Sequence, residues 1–127
     1  MEELLDYIIF LIVYLIIDIF WVLGARKLHS DTVELVQNAP ISINFIPVIL
    51  YYLIAPLSYV FIVKRYSKST SEALGLAALI GLLMFGAFDL TNKAIFKNYP
   101  WSYTLMDMTW GVISMTIATF VCLKLKK

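Results

Sequence analysis

Four runs of about twenty apolar residues constrain this chain more than any other feature of it. They extend over roughly 4–23, 43–63, 73–96 and 103–123. At a rise of about 1.5 Å per residue, a helix of that length covers roughly 30 Å, the hydrocarbon thickness of a bilayer. The 127 residues are 61% hydrophobic and 15% charged, and a soluble chain of this size has no interior large enough to hide that much apolar surface. The solvent is therefore lipid, and the predicted fold is all-α: an integral membrane four-helix bundle, with residues 1–127 as a single transmembrane domain. The first run is expected to be a retained span. Glu2 and Glu3 stand where a cleavable signal needs basic residues, and no small-x-small cleavage site follows the run.

The remaining composition narrows the function. A net charge of +1 gives no basic surface for nucleic acid. The single cysteine, Cys122, excludes an internal disulfide and a thiolate metal cluster. The one histidine, His29, reads as an ordinary residue of a polar connection. No phosphate loop, zinc-protease motif or other cofactor signature is present. No nucleophile has an adjacent base: Ser114 and Asp107 share a helix face but lie about two turns apart, roughly 10 Å along the axis. This pattern favours a non-enzymatic role.

Each span carries one small or polar face. In the first, Tyr7, Leu11, Tyr14, Asp18 and Trp21 recur at helical spacing. In the second, Pro47 falls early, whereas Pro56 is interior and predicts a kink. In the third, Ala77, Gly81, Phe85, Asp89 and Asn92 form a stripe from small residues to a polar patch, and this helix is expected to be the most buried. In the fourth the stripe is Asp107, Gly111, Ser114, Ala118 and Cys122. Ser69 with Glu72 forms a capping box before the third span. Asp31 with Glu34 forms another, consistent with a short helix from about Asp31 to Asn38, although a solvated loop fits those residues equally.

Besides Asp6 near the start of the first run, three aspartates interrupt the apolar runs. Asp18 is late in the first span, Asp89 late in the third and Asp107 early in the fourth. Alternating helix directions place all three in one membrane half, away from the termini. Thr91, Asn92, Trp21, Trp110, Asn44 and Tyr51 fall in the same half. An aspartate at the bilayer centre costs about 2.5–3.5 kcal/mol, so three lipid-facing accidents are excluded on energy. The three carboxyls are expected to approach one another inside the bundle, with Asp89 central, Asn92 as its amide partner, Thr91, Trp21 and Trp110 around them, and Lys93 near enough in sequence to neutralise one. Burial and mutual repulsion predict that one carboxyl keeps its proton. The termini side carries six basic residues (Lys64, Arg65, Lys68, Lys124, Lys126, Lys127) and the other side four (Arg26, Lys27, Lys93, Lys97), which predicts cytoplasmic termini.

The residues Asp18-Ile19-Phe20-Trp21, Pro47 with Tyr51-Tyr52, Phe88-Asp89-Leu90-Thr91-Asn92 and Asp107-Met108-Thr109-Trp110-Gly111 carry a resemblance that covers essentially the whole chain. The chain resembles an uncharacterised family of small four-span membrane proteins of bacteria and some large DNA viruses, domain of unknown function family 2177. The resemblance implies the four-span architecture and no particular activity. The family usually shows tyrosine just before the third-span aspartate, where this chain has Phe88.

Two classes of function fit. One is a small transporter or ion- or proton-binding protein, with Asp18, Asp89, Asn92, Asp107, Trp21, Trp110, Thr91 and Tyr51 as its candidate site. It would act as a homodimer, because four helices enclose little volume. The other is a structural or assembly protein whose carboxylates only hold helices together. The lipid bilayer is the expected partner in both.

Overall fold

The computed structural model describes residues 1–127. It contains α1 (Glu2–Gly24), α2 (Arg26–Gln37), α3 (Phe45–Tyr66), α4 (Thr70–Ile95) and α5 (Trp101–Leu125), and no strand. α1, α3, α4 and α5 are each long and apolar enough to cross a membrane, and their ends fall within three residues of those read from the sequence.

The sequence explains how each span begins and bends. Asn44 caps α3 by accepting a hydrogen bond from the Ile46 amide at 3.2 Å. Ser69 caps α4, its Oγ accepting from the Glu72 amide at 3.1 Å, while Glu72 accepts from the Lys68 amide. The irregularity expected at Pro56 sits one turn later, as a π-helical turn over Tyr59–Val63. The Tyr59 amide donates to the Pro56 carbonyl, and the Ser58 hydroxyl donates to the Ala55 carbonyl at 2.7 Å. In a membrane such a break persists only where the freed carbonyls find donors of this kind.

α2 departs from expectation. It begins at Arg26, directly after α1, so Asp31 is an interior residue and not a cap. Asp31 instead pairs with Lys27 at 2.6 Å, one turn earlier. The helix ends at Asn38, which adopts the left-handed conformation (φ 55°) that terminates many helices. His29, Thr32, Val33 and Val36 face the bundle, and α2 folds over the end of α4 and α5 remote from the termini.

The tightest helix pair is α4 with α5; α5 also packs on α1, and α1 on α3. The most buried span is therefore α5, with eight buried residues, and not α4, with five. α4 packs on α5 and, more weakly, on the π turn of α3, whereas α5 packs along both α4 and α1. α4 and α5 touch at their backbones: a Cβ on Gly81 would collide with the Gly111 carbonyl, and one on Gly111 would collide with the Phe85 ring.

The bundle divides along its length. Toward the termini it is closely packed, with Phe10, Tyr14, Tyr59, Val63, Ala77 and Met115 in one apolar core. At the rim of that half, the buried Asp6 carboxylate pairs with Lys64 and, at 2.8 Å, with Lys126. The opposite half holds the aspartates.

Two predictions follow from this packing. Gly81→Ala should lower thermal stability in detergent by about 1–3 kcal/mol, and Gly81→Leu by more, because the obstructing atoms are backbone. Gly75→Ala, which meets only open space, should leave the melting temperature unchanged or slightly raised; equal effects at the two glycines would contradict the contact. The hydrogen bond to Asp6, opposed by burial and reinforced by Glu2, raises the Lys126 ammonium above its ordinary range. Its stabilising contribution is complete below the unfolded value of 10.5 and fades as pH rises through the higher folded value. The alkaline loss of stability should therefore shrink in Lys126→Met, as read by melting temperature against pH.

Candidate functional site

Asp18 and Trp21 lie one turn apart on α1, and Asp107 and Trp110 one turn apart on α5. The two pairs interlock. Trp21 Nε1 donates to Asp107 Oδ1 at 3.1 Å, and Trp110 Nε1 donates to Asp18 Oδ1 at 2.8 Å. The two indoles stack, with ring centroids 5.2 Å apart and planes within 13°. The Tyr52 hydroxyl donates to Asp18 Oδ2. These donors solvate two buried carboxyls without neutralising them.

Asp89 completes the cluster from α4. It is fully buried, and its Oδ1 accepts from the Tyr99 hydroxyl at 2.6 Å. Its other oxygen, Oδ2, has no hydrogen-bond donor. The Asp89 carboxyl lies within hydrogen-bonding reach of the Asp107 carboxyl. None of the three aspartates has a basic partner: the ion pairs of this protein involve Glu2, Glu3, Asp6 and Asp31. Tyr99 lies between α4 and α5. Burial, followed by the hydrogen bond to Asp89, pushes its hydroxyl above the usual phenol range, so it remains a donor.

A cavity of about 420 Å³ adjoins the cluster, with Asp18, Asp107, Trp21, Tyr51, Phe85 and His29 among its walls. His29 is thus drawn into the site by α2 and is not an ordinary residue of a connection. Its Nδ1 pairs with the Tyr103 hydroxyl at 2.8 Å, its ring stands edge-on to Trp21, and its Nε2 is buried without a partner. The Tyr51 hydroxyl is 2.8 Å from that of Tyr14, at the floor of this half.

Several expected placements are revised. Asn92 lies beside the Tyr99 hydroxyl, so the hydrogen-bond partner of Asp89 is Tyr99 and not the Asn92 amide. Thr91 is exposed, because a residue two positions from Asp89 lies nearly opposite it on a helix. Lys93 neutralises no aspartate: it donates to the Tyr99 carbonyl at 2.7 Å and sits over the Trp101 ring. Asn44 serves α3 as a cap. Phe88 is 57% exposed, and the hydroxyl on Asp89 comes from Tyr99 instead. Tyr52 has a signal only in the resemblance, beside Tyr51; Tyr99, His29 and Tyr103 carry none that separates them from interfacial aromatic residues. The Asp6 pairing has a signal, a carboxylate inside an apolar run with basic residues at the same membrane face.

Trp21→Phe and Trp110→Phe each remove one donor from a buried carboxyl, and each should cost about 1–3 kcal/mol of stability in detergent. Because the rings stack, the double variant should depart from additivity by about 0.5–3 kcal/mol. Single variants as stable as the parent protein would contradict the interlock.

No curated protein and no solved structure matches the chain. The model of a family described as predicted membrane protein (DUF2177) matches residues 3–123. With four membrane-spanning helices and a match over nearly its whole length, the chain belongs to that family of membrane proteins of unknown function.

Proposed function

We propose that the three aspartates form the proton- or cation-binding site of a small transporter. The observation that carries this reading is the fully buried Asp89 carboxyl, its Oδ2 without a donor, beside Asp107 in a cluster that makes no ion pair. Two carboxylate oxygens cannot hydrogen-bond each other unless a proton lies between them. Two negative charges held together in a low dielectric repel strongly. A shared proton satisfies the stranded Asp89 Oδ2 and removes that repulsion. Asp18, fixed by Trp110 and Tyr52, lines the cavity together with Asp107.

In this reading both termini are cytoplasmic, following the excess of basic residues on their side, and the site occupies the half away from the cytoplasm. The homodimer expected from the small bundle volume remains part of this reading.

A second reading has a specific observation in its favour. The crossed Trp–Asp bonds join α1 to α5 and would do so in a purely structural protein. The two readings separate at Asp89, which takes no part in that interlock. The amide introduced by Asp89→Asn can donate to Asp107 in place of the shared proton, so the fold should survive. Protein reconstituted in liposomes under an imposed pH gradient should move protons, read by an internal pH dye, and Asp89→Asn should abolish the movement while the melting temperature stays close to that of the parent. Unchanged proton movement in the variant would contradict the site, as would a parent protein that moves none.

A further inference from the structure

The carboxylate half of the bundle is open on one side. α3 packs against α4 through the π-helical turn Tyr59–Val63, toward the termini. Beyond that turn the helices part: every residue from 41 to 50 is exposed, and Phe88 on α4 is largely so. The cavity lies behind this gap, with Tyr51 from α3 on one margin and Met84, Phe85 and Phe88 from α4 on the other. The gap lies between α3 and α4, two helices long and apolar enough to cross a membrane.

The walls combine two kinds of surface. Asp18 and Asp107 supply carboxyls with no basic partner, and Trp21, Tyr51 and Phe85 supply aromatic surface. Carboxylates attract positive charge directly, and aromatic faces attract it through the ring quadrupole, more strongly where water is excluded. The aromatic share of the wall suits a diffuse organic charge. A volume of about 420 Å³ falls in the range of small-molecule sites, about 300–1,000 Å³. His29, also in the wall, has its buried Nε2 without a partner, which marks this as a site with unmet polar capacity and not only a group of acids.

We infer that the cavity admits a lipid-soluble organic cation sideways from the bilayer, between α3 and α4, and holds it against Asp18 and the aromatic wall. This rests on the reading that the aspartates form a binding site, and it adds the class of ligand and its route. Apolar groups on the cation bring it to the gap by partition into lipid; its charge then exchanges a costly place in hydrocarbon for a carboxylate.

Trp21 lines the cavity and Trp110 stacks on it, so their fluorescence reports occupancy once Trp101 is replaced by phenylalanine. Tetraphenylphosphonium, titrated against the protein in nanodiscs of zwitterionic lipid, should quench this fluorescence saturably. Tetraphenylborate, of the same shape and opposite charge, should give only unsaturable partition, and the hydrophilic tetramethylammonium should give no quenching over the same range. Asp18→Asn, with its melting temperature checked, should weaken phosphonium binding at least about tenfold, the effect of losing roughly 1.4 kcal/mol. Equal quenching by phosphonium and borate in the parent protein overturns the inference without reliance on any variant. So does phosphonium binding that a folded Asp18→Asn protein retains in full. Proton movement that depends on Asp89, without phosphonium binding, overturns the ligand class alone; absence of both overturns the proposed function as well.

Discussion

In hydrocarbon, apolar helices have no hydrophobic reason to associate, since lipid tails are as apolar as leucine. What remains is close packing and the satisfaction of polar groups, and the crossed bonds between α1 and α5 supply the second. Each helix carries an aspartate and, three residues later, a tryptophan, displaced by about 4.5 Å along its axis. α1 and α5 cross the membrane in opposite directions, so the order acceptor-then-donor on one meets donor-then-acceptor on the other. Both bonds close together, and the indoles stack between them. The repeated Asp-x-x-Trp spacing, weak as a hint of duplication, has a direct structural meaning as two halves of one self-complementary joint.

The rest of the bundle divides its work around that joint. The half near the termini is held by packing: Phe10, Tyr14 and Tyr59 stack in series, and the π turn brings α3 onto α4. Gly81 and Gly111, nearer the middle, let the α4 and α5 backbones touch and so fix the position of Asp89 relative to Asp107. The other half is held by hydrogen bonds and left open on the α3 side. In the proposed function, the closely packed half keeps the carboxyls in register while a ligand enters and leaves the open one.

The sequence makes the spans legible because the hydrocarbon thickness imposes a length that hydropathy records directly. Parity of the helix directions was enough to place Asp18, Asp89 and Asp107 in one half, and the helical repeat was enough to put each on an inward face. The same repeat excludes Thr91, two positions from Asp89, which a reading by proximity in sequence includes. Side chains from outside the spans were not legible. Tyr99 and His29 reach the site only because the α4–α5 turn and α2 fold back over it, and that path is set by tertiary contacts. α2 itself extends beyond its apparent capping box because it starts from the end of α1 and requires no side-chain cap. Lys93 illustrates the same limit: a nearby carbonyl and the Trp101 ring receive it before any aspartate does.

The chemistry turns on whether a proton lies between Asp89 and Asp107. Infrared spectroscopy reads this directly, because a protonated carboxyl in an apolar site has a carbonyl stretch resolved from those of carboxylates and amides. Protein in lipid near neutral pH should show that band, shifted in deuterium oxide and absent from Asp89→Asn. A spectrum containing only carboxylate bands, unchanged by that substitution, would show that the two groups are both ionised and would contradict the shared proton.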